Sequence, residues 1–430
     1  MYRKKIDENW EAYIELLAGA VAIPSVKGAA LPEAPFGAQT KEVLSFVMAK
    51  AQDYGFETKI IKNAVGYAQL GVDDADYIGI LGHLDVVAAE EKTWLSPAFE
   101  LTRREGMLFG RGVLDNKGPI LSCLFALKLL KDAGVPLKKT IRILFGTDEE
   151  SGSNDLPLYL SEELPPSFGF TPDCKFPVVY GERGLVAVDL VTSFSDELEL
   201  LSDFSGAMAR DFVPDDLAVK FLEESFSAKG VRVPSNAPDQ GENAITFLAK
   251  LLSENLPKGR LNAYFTWLVD VFHLKHFGEG AGLNFEDEAS GSLILTPYRI
   301  SKRGKELHLE LSIRYPVSVN EIEVLEVLQQ HLFEQSELKV LRRLPGVLFE
   351  KNRPEITQLS DIYGQMTGLE ATPVTTTGAT YARFMPNIVA FGPSFPGQKG
   401  IAHKENEYMI EEELKVIMEI YMRAIVKLCQ

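Results

Sequence analysis

In the first part of the chain, apolar positions fall into two alternating kinds of block. Glu8–Ala18 and Thr40–Tyr54 carry apolar residues at helical spacing, the second with Val43, Leu44, Phe46, Val47 and Ala51 on one stripe and Gly55 as its stop. Phe56–Asn63 and Tyr67–Val72 alternate in the manner of strands. Tyr77–Leu81 and Thr140–Phe145 are short apolar runs, as in strands buried on both faces. Between them, Pro119–Lys131 places Ile120, Leu121, Leu124, Phe125, Leu129 and Leu130 on a helical stripe, and Gly134 ends it. Strand, loop, helix and strand in that order predict a βαβ unit. Leu156–Leu164 reads as a helix and loop, and Val178–Tyr180 as a further strand.

From about Leu185 the pattern changes. Alternating segments (Leu185–Val191, Leu307–Ile313) are interleaved with predicted helices at Asp216–Glu224, Glu242–Glu254 and Val319–Leu332, as in a separate α+β domain with an antiparallel sheet. A helix over Ile356–Met366, a strand over Asn387–Phe391 and a helix over Ile410–Leu428 then return to the first kind of architecture. The expected fold class is therefore α/β. One domain with a mainly parallel central sheet is built from residues 1–186 and 351–430, and an α+β domain, residues 187–350, is inserted in it.

A chain of 430 residues is too long for one ordinary core, which agrees with two domains. Its net charge of −17 argues against nucleic acid or an anionic membrane as partner. The three cysteines, Cys123, Cys174 and Cys429, are too few and too scattered for a disulfide framework, which points to a reducing compartment. The N-terminal residues run straight into an amphipathic helix without the apolar core of a signal peptide, and no apolar run approaches about 18 residues. A cytoplasmic protein with no membrane contact is expected.

The chemistry gathers where the predicted strands end. His83 and Asp85 lie in Gly82–Val87, Asp115 in Gly110–Gly118, and Glu149 and Glu150 in Gly146–Gly152. In open α/β sheets, ligands bind in the crevice beyond the carboxyl ends of the strands. Asp173, just before the Val178–Tyr180 strand, and His403, in a late loop, are further candidates. Carboxylates converging there are costly unless a cation neutralises them. Zinc takes imidazole nitrogen and carboxylate oxygen, so His83, Asp115, Glu150, Asp173 and His403 are candidate ligands. One imidazole and one carboxylate per metal, with one carboxylate shared, would hold two ions about 3.5–4 Å apart. Glu149 and Glu150, neighbours in an extended loop, point in different directions, so one can ligate while the other acts as general base. Taken singly, each phrase is ordinary: His-x-Asp a surface pair, Glu-Glu an acidic loop, Asp115 a helix cap, Asp173 turn chemistry. Their coincidence at consecutive strand ends argues for a site.

These phrases also carry a resemblance. Gly-His-Leu-Asp-Val-Val (82–87), Gly-Arg-Gly-Val-Leu-Asp-Asn-Lys-Gly (110–118), Thr-Asp-Glu-Glu-Ser-Gly (147–152) and Ala-His-Lys-Glu-Asn-Glu (402–407) are similar to those of the dinuclear zinc amidohydrolases that include aminoacylase, ArgE, DapE, carboxypeptidase G and the Xaa-His dipeptidases. Phe176-Pro177 before Gly181–Gly184, Arg314-Tyr315-Pro316 and Thr380–Arg383 most resemble the PepV-type dipeptidase branch. The resemblance implies a zinc-peptidase-like catalytic domain with the inserted domain as its lid. It implies two Zn2+ per chain, with Mn2+ or Co2+ as substitutes: His83 and Asp173 on one, Glu150 and His403 on the other, and Asp115 bridging. It makes Glu149 the general base and has Asp85 orient His83 from behind. It further implies a cis Asp115–Asn116 peptide, Arg314 as the reader of the substrate's carboxylate, and backbone approach to substrate at Gly378.

The chain departs from that pattern in the inserted domain. Where the dipeptidases carry a His that polarises the scissile carbonyl, it has Pro234, and where they carry an Asn it has Asp211. An oxyanion needs donors, which neither supplies. Arg232, Asn236, His273 and His276 are the candidates to stand in, although His273 and His276 also read as an exposed helix face without a role. The glycine-rich turn before Thr380 is altered too, with Thr377 and Ala379 flanking Gly378. The function expected is that of a metallopeptidase acting on dipeptides or short peptides, as a monomer, with a dimer as the alternative. The rival readings are an N-acyl-amino-acid deacylase or desuccinylase on the same centre, and a zinc-binding homologue whose catalysis is lost or altered.

Overall fold

In a computed structural model, the described residues are 2–73, 75–398 and 401–430. They form two compact units. The first takes the chain up to Tyr180, then Phe349–Val374 and Gly378–Gln430; the second takes Gly181–Leu348 and Thr375–Thr377.

In the first unit, strands follow one another across the sheet in the order Glu57–Ile61, Val65–Leu70, Thr140–Gly146, Tyr77–His83, Phe168–Thr171, Ile388–Phe391 and Val178–Glu182. The four in the middle, from Thr140–Gly146 to Ile388–Phe391, run parallel. The flanking strands are antiparallel, so the sheet is mixed with a parallel centre. Lys62 and Asn63, with φ of 50° and 54°, reverse the chain tightly enough to make Glu57–Leu70 a hairpin, which the apolar pattern alone does not reveal. All seven residues of Tyr77–His83 and of Thr140–Gly146 are buried, as continuous apolar runs require. The Lys117–Asp132 helix between them is buried on most of its circumference and packs against the C-terminal helix, Glu411–Leu428. The opening helix is two helices, Tyr2–Glu8 and Trp10–Val21, broken at Asn9, whose side-chain amide donates to the Lys5 carbonyl.

One buried residue breaks the apolar run at the sheet centre. Arg142 lies between the rings of Tyr67 and Tyr77 and donates to Gln69 Oε1 at 2.6 Å, Tyr159 Oη at 3.0 Å and Glu163 Oε2 at 2.8 Å. Glu163 keeps Lys59 at 2.5 Å when Arg142 is removed, so the loss falls on the buried Gln69 and Tyr159 oxygens left without that donor, at a cost of about 1–3 kcal/mol. Arg142→Ala is therefore expected to lose that much stability in urea unfolding while its metal content is unchanged.

The second unit holds a four-stranded antiparallel sheet in the order Ile294–Arg303, Glu306–Tyr315, Gly184–Ser193 and Ser336–Leu344. Val186, Val188, Leu190, Leu307, Leu309, Leu311 and Ile313 alternate onto one face, and their cluster takes in residues of the helices Ala244–Asn255, Arg260–Phe272 and Glu321–Gln330. The helix expected over Asp216–Glu224 is instead a hairpin, Asp216–Phe221 with Glu224–Lys229. Leu217 and Val219 bury every second residue, a period of two that a short polar stretch hid, and Leu222 turns the chain at a φ of 53°. His273 and His276 lie beyond the Arg260–Phe272 helix rather than on it; His273 Nδ1 is 3.1 Å from Thr246 Oγ1. No helix among the described residues is long and apolar enough to cross a membrane.

Candidate metal centre

Parallel strands that start level end level, so their loops emerge together. His83, the last residue of its strand, is registered against Gly146, the last of the next. The glycines that precede the key residues serve close approach here. A Cβ on Gly82 would collide with the side-chain oxygen of Asn116, and one on Gly146 with the hydroxyl of Tyr381.

Six of the seven residues expected at the metal centre converge at this edge with donor atoms facing one another; the seventh, Asp85, lies behind. His83 Nε2 is 3.1 Å from Asp115 Oδ1 and 3.6 Å from Asp173 Oδ2. His403 Nε2 is 2.9 Å from Asp115 Oδ2 and 3.0 Å from Glu150 Oε2. Each oxygen of Asp115 thus faces its own imidazole. Donor atoms of His83, Glu149 and Asp173 lie within 4.8 Å of one another, as do those of His83, Asp115 and Glu150. The His83 Nδ1 faces the main-chain carbonyl of Asp85 at 2.8 Å and its carboxylate at 3.4 Å, which leaves Nε2 to the cluster. Glu149 and Glu150 are on a 3-10 turn, Glu149–Ser151, rather than in an extended loop. At three residues per turn their side chains still diverge. The Asp115–Asn116 peptide is cis.

Buried carboxylates shape the loops by accepting main-chain amides. Asp85 takes those of Glu149 and Glu150 at 3.2 and 3.1 Å. Asp155 takes those of Thr147 and Asp148 and the hydroxyl of Tyr381. Glu407 takes those of Gly112, Leu114 and Asp115. Asp155, Tyr381 and Glu407 had no role assigned from the sequence. Glu407 stands in the same phrase as His403, a signal that was available; nothing local marks Asp155.

The remaining expected residues lie elsewhere. Arg314 is in the second unit, where its guanidinium donates to the Thr377 carbonyl at 2.6 Å and the Asn236 amide donates to the Thr377 hydroxyl at 3.0 Å. Gly378 is in the first unit and its carbonyl accepts from Arg383 at 2.6 Å. The two departures, Asp211 and Pro234, sit side by side: Phe212 bridges to Pro234, and the Ser235 amide donates to the Asp211 carbonyl.

The electrostatics call for a cation. Burial, reinforced by the charge of Asp173, pushes Glu149 well above the usual carboxylate range. Burial and the neighbouring Asp115 raise Glu150 to about 7, and burial raises Asp173 to about 6. Burial opposes ionisation of Asp115 as well, but its hydrogen bonds to His403 and His83 hold it below the usual range. Four carboxylates around two imidazoles offer N and O donors and excess negative charge, which fits one or more divalent metals of the zinc or manganese kind. Hydrogen bonds to Asp115 and Glu150 push His403 up to about 11, so without metal it carries a proton at neutral pH. Loading must displace that proton. Zinc binding at pH 7 is expected to release protons, seen as a buffer-dependent calorimetric heat. Its affinity should rise with pH by about tenfold per unit for each proton displaced, and a buffer-independent heat would contradict this.

The chain matches Peptidase family M20/M25/M40 over residues 79–427. A Staphylococcus haemolyticus protein named "Putative dipeptidase" is 30% identical over 100% of this chain and 99% of its own length. A namesake from Staphylococcus aureus is 29% identical over the same shares. Among solved structures, human carnosine dipeptidase 1 superposes with a TM-score of 0.65 at 16% identity, over 100% of this chain and 98% of its own. The aminoacylhistidine dipeptidase of Vibrio alginolyticus does so with a TM-score of 0.62 at 12% identity, over 97% and 96%. These structural likenesses show the fold.

Proposed function

Because this chain belongs to Peptidase family M20/M25/M40, and is thus a metal-dependent peptidase, we propose that it hydrolyses dipeptides or short peptides with a free carboxylate. The observation that carries this reading is the division of Asp115 between His83 and His403, 3.1 and 2.9 Å away. It suits a carboxylate shared by two cations. His83 and Asp173 would hold one zinc ion and Glu150 and His403 the other, with manganese or cobalt as substitutes. Bound there, the metal supplies a Lewis acid for the scissile carbonyl and lowers the pKa of water.

The chain's own groups do the rest. Glu149 takes the proton of the attacking water and returns it to the leaving amine. Asp85 fixes the turn that aims Glu149, through the amides of Glu149 and Glu150. The guanidinium of Arg314 is assigned the substrate's carboxylate, and the main chain at Gly378 its backbone. The protein is taken to work as a monomer in the cytoplasm, a compartment that suits its few, scattered cysteines.

The adjoining Pro234 and Asp211 favour a second reading, a metal-binding homologue whose catalysis is lost or altered; a deacylase for N-acetyl or N-succinyl amino acids on the same centre is the rival among enzymes. A panel of Xaa-Ala dipeptides against those N-acyl amino acids separates the two enzymes. The first reading expects kcat/KM about a hundredfold or more in favour of dipeptides; the reverse order would install the deacylase. Turnover of neither, with metal bound, would leave a protein that binds without hydrolysing.

A further inference from the structure

We propose that Glu407 is a positioning residue that ties the His403 loop to the Asp115 loop, so that the metal position served by His403 keeps its full affinity only while Glu407 is in place. The inference rests on the two-metal reading above. Glu407 is fully buried, and its side chain spends every acceptor on one loop. Oε1 accepts the amides of Gly112, Leu114 and Asp115 at 3.1, 2.9 and 3.1 Å, and Oε2 pairs with the Arg111 guanidinium at 2.6 Å. Its own carbonyl accepts the Gly110 amide at 3.1 Å. Four residues back along the same segment, His403 faces Asp115 and Glu150.

The two imidazoles are held very differently. His83 ends a buried strand and is itself fully buried. The His403 side chain is 53% exposed, and the residue has a φ of 62°, with Asn406 at 58°. A left-handed conformation at non-glycine residues persists only where surroundings over-determine it. Packing around His403 is sparse, so hydrogen bonds must supply that constraint. They come from Glu407 and from Asn406, whose side-chain oxygen accepts the Leu95 amide at 2.7 Å.

Asp115 itself keeps other anchors. The neighbouring Asn116 donates to the Pro172 carbonyl at 2.6 Å and accepts the His83 amide at 3.3 Å. Loss of Glu407 therefore falls chiefly on the position shared by Asp115, Glu150 and His403, and spares the one at His83 and Asp173.

The test is titration of metal-free protein with Zn2+ by calorimetry on wild type, Glu407→Gln and His403→Ala, the last marking which step belongs to His403. In Glu407→Gln that step is expected to weaken about 10–100-fold, the range for groups that orient a metal's ligands. The other step should stay within about threefold. A residue that merely stabilised the fold would lower the melting temperature without splitting the two steps. Two unchanged constants, or two that fall together, would overturn the proposal while the metal reading stands; a wild type that binds no zinc would overturn both. Arg111→Gln, which removes the ion pair and the cation–π contact with Trp94 but leaves the three amides on Glu407, is the milder variant should Glu407→Gln not fold. The same ordering of losses, smaller in size, is expected in it, and unchanged constants there would overturn the proposal too.

Discussion

Glu149→Gln is expected to bind metal as wild type does and to lose about 10²–10⁴ in turnover, roughly 3–5 kcal/mol of barrier. The two halves of that result come from different parts of the residue. The Asp85 carboxylate holds the Glu149–Ser151 turn through main-chain amides, which the substitution leaves alone, so Glu150 keeps its place beside His403. The lost carboxylate is the one that exchanges the proton. A further consequence appears in the metal-free protein. Burial and the charge of Asp173 raise the proton affinity of Glu149 in the fold. A group whose folded pKa is raised contributes stability below its unfolded value, here 4.5, and loses it as pH rises through the folded value. Metal-free wild type is therefore expected to melt earlier as pH climbs from 4.5 through the folded value, and Glu149→Gln to be spared that part of the decline. Melting curves in chelator from pH 4 to 8 measure this. Near-wild-type turnover in the variant would remove Glu149 from the role of base.

Asp115→Ala should be the most damaging single change to the centre. One oxygen of Asp115 faces each imidazole, so a single truncation withdraws a donor from both candidate positions. Bound metal, read by mass spectrometry of the desalted protein, should fall from two equivalents to one or none. A metal used as Lewis acid contributes several kcal/mol to the transition state, so turnover should fall at least about a thousandfold. Fold is expected to survive, because the loop keeps the bonds of Asn116 and the amides of Gly112 and Leu114 on Glu407. Two equivalents retained in a folded Asp115→Ala would show that the carboxylate is not shared.

The parts of this molecule legible in its sequence are those that local pattern encodes. Tyr77–His83 and Thr140–Gly146 announce themselves as apolar runs with a helical stripe between them, and the glycines at their ends mark where backbones and side chains crowd. From that alone the meeting of His83, Asp115, Glu149 and Glu150 follows. Three things did not follow. The Asp216–Lys229 hairpin buries only a few residues at a period of two within a polar stretch, so its signal is weak. The break at Asn9 shows in a side-chain bond to the Lys5 carbonyl and a main-chain bond to Ile6, neither of which an apolar pattern records. Thr375–Thr377 groups with the second unit through tertiary bonds: Thr375 with Ala289, Thr376 with Arg183, Thr377 with Arg314 and Asn236.

The same reason hides Asp155 and Glu407. Each is a carboxylate whose partners are amides brought near by folding, and no spacing rule records that. Asp85 shows the limit from the other side. The resemblance gave it to His83, yet its carboxylate also holds the turn of Glu149 and Glu150, a duty seen only in three dimensions. For Pro234 and Asp211 the structure adds adjacency, in that the two replaced positions are neighbours, and one pair of substitutions alters one place. Losing a single oxyanion donor costs about a hundred- to a thousandfold in turnover, so any peptidase activity here draws on another group.

The measurement that tests the central claim most directly is hydrolysis of a mixed dipeptide library, followed by mass spectrometry, with the protein as zinc-loaded wild type, as the chelated form, and as zinc-loaded His83→Ala. The account predicts that a subset of dipeptides disappears only with the loaded wild type and that adding zinc back to the chelated form restores it. Turnover that survives chelation, or that His83→Ala retains, would contradict it.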